Sequence, residues 1–375
     1  MRVLFLIRCF LYYTAQLASA LAQAGHDVIM IVPEDGGEFI GSGAGDIRKE
    51  FREWLDPRIT LEWVHFPPEI SPKTLVDNLR CVSNFVSLIR KYRLDVLHLH
   101  DVSDCRIFGA VALTKRRNPL VLTIHDAELH PGDSSNKQEF VRHWLRRMAD
   151  GVIVHGDDVK NRLLAISKLP EDRIYCVPIG AYTFYRRWLS ADTDSNSKKI
   201  LFFGRIREYK GLEYLVKAAP IVCREVPDSK FVIAGEGPDW PRCKALIENP
   251  ENFILLEGAV YDPDITKLFE ESAVVAMPYI EASQSAVLTI AYALGKPVVV
   301  TNVGSLPEVV EDGVTGLLVP PRDEKALAEA IIKILTDDEL RKRISQNAYR
   351  LADTHLSWDA VARQTGEVYK KVVGC

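Results

Sequence analysis

FFGRIREYKGLEYLV, residues 202–216, reads as the end of a strand, a loop and the start of a helix. The apolar run stops at Gly204, and the loop that follows carries Arg205 and Lys210. After Gly211, apolar residues recur at helical spacing. A strand, a short loop and a helix make the half-unit of a parallel α/β sheet. Such a loop sets two cations at a strand's carboxyl end. A guanidinium fork and a compact ammonium there suit a pyrophosphate. On spacing alone, two solvated surface charges remain the plainer alternative.

The same alternation runs outward in both directions. Toward the N-terminus, Val3–Ile7, Val28–Val32, Leu94–Leu99, Leu120–Ile124, Val152–Val154 and Ile174–Val177 read as short strands. Thr14–Ala24, Thr74–Lys91 and Gln138–Arg147 read as helices between them. Toward the C-terminus, Ile200–Phe203, Phe231–Ala234, Phe253–Leu256, Val274–Met277 and Pro297–Thr301 are strand candidates. Leu212–Ala219, Ile265–Glu270, Gln284–Leu294 and Lys325–Leu335 are helix candidates. Continuous apolar strands alternating with helices predict parallel sheets covered on both faces. The polar stretch WLSADTDSNSKK, residues 188–199, has no periodicity and reads as a linker. The fold class is therefore α/β, as two doubly wound domains of similar size, with the ligand crevice expected between them.

Composition agrees. A length of 375 residues exceeds the roughly 100–200 of one domain, and 47% apolar residues suffice for two cores. A net charge of −4 excludes a typical nucleic-acid binder. Seven scattered cysteines without a C-x-x-C pair read as free thiols of a reducing compartment. MRVLFLIR is too short for a signal-peptide core, and no apolar run reaches the length of a membrane span. A cytoplasmic protein is expected.

EASQSAVLTIAYALGKPVVVT, residues 281–301, supplies a second feature. Ser283 or Ser285 is placed to cap an apolar helix that Gly295 ends, with Pro297 opening the next strand. The free N–H groups of such a helix form an anion site. A plain capped helix is the alternative.

In combination, GRIREYKG (204–211), IAGEGP (233–238), the run GKPVVVTNVGSLPEVVEDGVTGLLVPPRD (295–323), LDVLHLHD (94–101) and LTIHD (122–126) resemble the retaining glycosyltransferases of family 4. The resemblance covers essentially the whole chain and implies the GT-B architecture. In that architecture two Rossmann-like domains occur, here residues 1–187 on the acceptor side and 200–355 on the nucleotide-sugar side. A C-terminal helix over 356–375 is expected to cross back. The resemblance implies that Arg205 and Lys210 act on the donor diphosphate, with His125 and Asp126 near the reacting sugar. It places Gly204, Gly235, Glu236, Gly237, Val260 and Tyr261 around the nucleotide. Glu281, Ser283, Gln284, Ser285, Ala286 and Val287 join them at the helix start. Phe10, Tyr12, Tyr13, His100 and Asp101 fall on the acceptor side.

Two departures stand out. The family carries glutamates for the sugar and the ribose at positions held here by Ala282 and Ile290. Glu281, one residue early, is a partial substitute for the first. The Gly-Gly loop usual after the first strand is replaced by Arg8-Cys9-Phe10-Leu11-Tyr12-Tyr13, so a different acceptor or donor contact is expected there. The chain resembles a branch of the family with an Ala-Ser-Gln-Ser-type loop.

The implied activity is metal-independent transfer of a sugar from a UDP- or GDP-sugar to a glycan, lipid-linked or small-molecule acceptor. The nucleotide sugar is a substrate, so no cofactor is expected. The alternatives are a nucleotide-sugar epimerase of the same architecture and an inactive nucleotide-sugar-binding subunit. His98 and His100 share a strand face but lack an evident third ligand, which favours structural roles over a metal. Asp262-Pro263-Asp264 and Asp192-Thr193-Asp194 read as turns. Arg142-His143, Arg146-Arg147 and Lys115-Arg116-Arg117 read as a solvated face, with contact to an anionic membrane surface as the sharper alternative.

Overall fold

A computed structural model of the chain describes residues 1–35, 46–67, 72–100, 102–128, 136–190, 197–258 and 260–374. The chain divides into two compact units, Met1–Ile179 with Trp358–Cys375, and Gly180–Ser357.

The first unit holds strands β1 (Arg2–Leu6), β2 (Asp27–Pro33), β3 (Thr60–Val64), β4 (Val96–His100), β5 (Leu120–Ile124), β6 (Gly151–Val154) and β7 (Ile174–Cys176). They form one parallel sheet in the order β3-β2-β1-β4-β5-β6-β7. Its helices are α1 (Leu11–Gln23), α2 (Ile47–Trp54), α3 (Leu75–Tyr92), α4 (Cys105–Thr114), α5 (Asn136–Met148) and α6 (Asp157–Ile166). The second unit holds β8 (Lys199–Phe203), β9 (Lys230–Ala234), β10 (Phe253–Leu256), β11 (Val274–Met277), β12 (Val298–Thr301) and β13 (Leu317–Val319), ordered β10-β9-β8-β11-β12-β13. Its helices are α7 (Leu212–Glu225), α8 (Trp240–Lys244), α9 (Asp262–Glu270), α10 (Ala286–Ala293), α11 (Leu306–Val309), α12 (Glu324–Thr336) and α13 (Asp338–Asp353). The last helix, α14 (Trp358–Val373), belongs to the first unit.

Both sheets start from their first strand, grow one way, then reverse. That is the doubly wound order, and a crevice opens at the reversal, between β1 and β4 and between β8 and β11. The central strands are buried along their whole length, β4, β5, β11 and β12 entirely. This is why they read as unbroken apolar runs.

Several elements differ from the sequence reading. α7 continues through Pro220 to Glu225 instead of stopping at Ala219; its packing against α12 outweighs the lost hydrogen bond. Asp262-Pro263-Asp264 is the first turn of α9, not a free turn. Asp262 is buried there and accepts from the Tyr185 hydroxyl (3.1 Å). Asp192-Thr193-Asp194 lies outside the described residues. β3 escaped because it is a half-exposed edge strand that carries Glu62.

The first unit has a polar core of unusual chemistry. His98 and His100 lie on β4, and His125 and His155 directly follow β5 and β6. All four are buried. His155 Nδ1 lies 2.8 Å from the Val177 carbonyl, which can only accept, so this nitrogen carries the proton. His155 Nε2 then accepts from His125 Nδ1–H (3.2 Å), and His125 Nε2 from His100 Nδ1–H (3.4 Å). One carbonyl thereby sets the tautomers of three rings. His98 is held apart, between the Tyr369 hydroxyl of α14 (2.6 Å) and Thr123 Oγ1 (2.8 Å).

Burial keeps these rings neutral. His98 is pushed down to about 3 and His155 to about 4, and His100 and His125 lie well below the ordinary histidine value. Unfolding returns each ring to about 6.5. Below that pH the unfolded chain binds protons that the folded unit does not. The stability contribution is therefore full above about pH 6.5 and is lost progressively as acid protonates the unfolded rings. Denaturant melts between about pH 7 and pH 5, above the carboxylate range, should show the first unit weakening steeply. An unfolding free energy that stays flat across that window would contradict the neutral cluster.

Candidate active site

The crevice of the second unit is built by the loops after β8 and β11. Two glycines hold the second loop in place. A Cβ on Gly211 would strike the Pro278 carbonyl oxygen, and one on Gly304 would strike the Ala282 carbonyl. Both residues take positive φ, 63° and 53°. The Ile280 N–H donates to the Tyr209 carbonyl (2.7 Å), which ties the two loops together. The loop after β9 joins them, since the Ile206 N–H donates to the Glu236 carbonyl (2.7 Å).

Lys210 lies across this junction. Its ammonium sits 3.7 Å from the ring centroid of Tyr279, a cation–π contact on a buried ring. Thr301 Oγ1 in turn donates to the Tyr279 carbonyl (2.5 Å). The sequence reading missed Tyr279 because its signal is a single tyrosine in a loop. Arg205 is exposed at the carboxyl end of β8. Among the described residues neither cation has a carboxylate partner, whereas Lys217 and Arg242 of the same unit do.

α10 begins beside them. Gly204 is close enough that an added Cβ would touch Val287 Cγ2 at 3.8 Å. The expected serine cap is absent: Ser285 is the N-cap residue, but its side chain does not bond the helix end. The hydroxyl lies instead within reach of the Tyr279 hydroxyl (3.3 Å) and Met277 Sδ (3.7 Å). Ser283 is buried in the loop before the helix. The helix start, Ala286 and Val287, therefore presents backbone N–H groups that its cap residue leaves open.

The remaining residues expected on the donor side are spread around this centre. Gly235, Glu236 and Gly237 form the loop after β9, with Glu236 exposed. Val260 is half-buried, and Tyr261 is exposed at the N-cap of α9. Glu281 is exposed on the loop after β11, with half-buried Gln284 three residues on. Ile290, where the resemblance implies a ribose glutamate, is buried in the core with Thr289. No carboxylate takes its place on the helix.

In the first unit the expected acceptor-side residues are mostly closed in. Phe10 stacks on His125 with ring centroids 3.7 Å apart, and Tyr13 packs edge-on to the same imidazole at 5.2 Å. Both nitrogens of His125 are committed to other histidines. Tyr13 and His100 are buried, Tyr12 is half-buried against Trp54, and Asp101 lies outside the described residues. Asp126 is half-buried, and its carbonyl accepts from Arg142 (2.5 Å). Phe10 adopts the left-handed backbone region (φ 59°), a conformation that glycine enters without cost. Its stacking on His125 offsets that strain.

Two of the expected surface cations are internal: Arg142 and Arg146 are buried and donate to the Asp126 and Ala127 carbonyls. Among the described residues no group of three or more His, Cys, Asp or Glu could hold a metal ion.

Comparison with known proteins fits this geometry. Residues 12–183 match the model for Glycosyltransferase Family 4, and residues 190–351 that for Glycosyl transferases group 1. An uncharacterized glycosyltransferase of Methanocaldococcus jannaschii is 28% identical over 375 residues, covering 94% of this chain and 92% of the relative. The alpha-D-kanosaminyltransferase of Streptomyces kanamyceticus is 27% identical over 281 residues, 71% of this chain and 72% of that enzyme. An Anabaena protein solved with UDP-glucose superposes with a TM-score of 0.74 at 18% identity, covering 99% and 100% of the two chains. With a glycosyltransferase model matched in each half and two parallel α/β sheets of doubly wound order, the chain belongs to the glycosyltransferases of the GT-B type.

Proposed function

We propose that the protein is a retaining, metal-independent glycosyltransferase that takes its sugar from a nucleoside-diphosphate donor bound at the β8–β11 crevice. The observation that carries this is the pair Arg205 and Lys210, two cations without a carboxylate partner among the described residues. They stand beside a helix start whose cap residue leaves its donors open. As the glycosidic oxygen–carbon bond breaks, charge builds on the departing diphosphate. Preorganised cations and N–H groups lower the barrier by meeting that charge. The bond to the acceptor oxygen forms as the old one breaks, and the acceptor's proton leaves with the diphosphate as base. The UDP-glucose bound to the Anabaena protein makes a uridine nucleotide the first donor to try; a GDP-sugar is the second. The acceptor is a glycan, a lipid-linked sugar or a small molecule.

Glu281 is the carboxylate we assign to the transferred sugar, since Ala282 and Ile290 offer none. The lack of a ribose carboxylate also supports a second reading, a subunit that binds the nucleotide sugar without transferring it. An epimerase has weaker support, resting on architecture alone.

A charge-assisted hydrogen bond to phosphate is worth about 1.5–3 kcal/mol. Arg205→Ala and Lys210→Ala should each lower the transfer rate about ten- to a hundredfold. Neither should move the melting temperature much, because neither side chain is in the core. Near wild-type rates in both variants would remove the diphosphate assignment. Product analysis with labelled donor separates the readings: transfer supports the enzyme, and tight binding with neither transfer nor hydrolysis supports the inactive subunit. Activity should also survive EDTA. Loss of activity restored by manganese or magnesium would overturn metal independence.

A further inference from the structure

Helix α5 presents two different stripes to solvent. One is apolar: Phe140 is 57% exposed and Trp144 is 42% exposed. Their rings lie 6.2 Å apart, and Phe140 continues to Phe108 of α4 at 6.2 Å. The neighbouring stripe carries His143 and Arg147, with the Arg147 guanidinium 5.8 Å over the Trp144 ring. This second stripe forms one wall of a groove of about 820 Å³, whose far wall is the connection from α6 to β7. Lys168 and Arg173 project from that connection.

The charges of the groove do not cancel internally. Its two carboxylates are engaged elsewhere, Glu128 with Arg162 (3.5 Å) and Glu139 with Arg142 (4.0 Å). Among the described residues Arg147, Lys168 and Arg173 have no carboxylate partner. The chain as a whole carries a net charge of −4, so this basic face is not a by-product of a basic protein.

We infer that α5 is a docking surface for an anionic lipid bilayer. Phe140 and Trp144 enter the headgroup–acyl boundary, and Arg147, Lys168 and Arg173 take lipid phosphates along the groove. An amphipathic helix with aromatic residues on one stripe and cations on the next suits that interface. Each cation near an anionic surface adds to the attraction. A second copy of the chain fits this surface less well. A two-fold contact centred here would set the same three cations against one another. The inference is independent of which donor the second unit binds.

The test is cosedimentation of the full chain with vesicles of phosphatidylcholine alone and of equal parts phosphatidylcholine and phosphatidylglycerol. We expect binding to the mixed vesicles, weak binding to phosphatidylcholine, and release by high salt. Inorganic phosphate at matched ionic strength should release no more protein than chloride does, because a free ion competes for single contacts while the bilayer engages the cations and the apolar stripe together. The pair Phe140→Ser and Trp144→Ser should weaken binding about tenfold or more. The set Arg147→Glu, Lys168→Glu and Arg173→Glu should remove the preference for the anionic vesicles. All of these side chains are exposed, and an unchanged melting temperature checks that the variants fold. Absence of binding to mixed vesicles, equal binding to both compositions, or binding unchanged in either variant set would overturn the inference. So would a dimer in solution that the Phe140/Trp144 pair dissolves.

Discussion

The crevice of the second unit depends on one packing constraint: backbone carbonyls sit where two side chains would otherwise begin. Gly211 leaves room for the Pro278 carbonyl and Gly304 for that of Ala282. The loop between β11 and α10 is thereby held near both ends. Tyr279, inside that span, becomes a fixed platform for the Lys210 ammonium. The start of α10 becomes a fixed edge beside Gly204. An added Cβ at either glycine displaces backbone rather than a flexible side chain, so the whole crevice would have to shift.

The two sheets share a strand order but use the reversal point differently. In the second unit the crevice is lined by the start of α10, whose cap residue does not bond the helix end, and by Arg205 and Lys210, which have no carboxylate partner among the described residues. In the first unit the carboxyl ends of β4, β5 and β6 are filled by histidines, and Phe10 and Tyr13 close over them. Hydrogen bonds that begin at the Val177 carbonyl fix the tautomers of three of these rings. Burial disfavours the charged form of each of these rings. The stack of Phe10 on His125 offsets its left-handed backbone, so the loop after β1 is a packed one where the resemblance implied Gly-Gly.

Much of this architecture was legible in the chain. Buried parallel strands announce themselves as apolar runs, and Leu120–Ile124 and Val274–Met277 matched the observed strands residue for residue. Half-exposed elements carry a weaker signal, which is why β3 and α2 went unread. Tertiary packing carried α7 through Pro220 against its local propensity. The cations of the β8 loop were legible from their spacing. Their surroundings were not, because Tyr279 and the uncapped Ser285 depend on contacts between distant loops. Burial was the least legible property. Tyr13, Arg142 and Arg146 are amphipathic or charged residues expected at accessible positions, and the fold encloses all three.

The central claim is that donor recognition rests on the diphosphate, gripped by Arg205, Lys210 and the start of α10. Calorimetric titration with matched nucleoside diphosphates and monophosphates tests it most directly. For the base that binds, the account predicts that the diphosphate is at least about tenfold tighter, since one phosphate-directed hydrogen bond is worth about 1.5 kcal/mol or more. Equal affinity for the two nucleotides would contradict it.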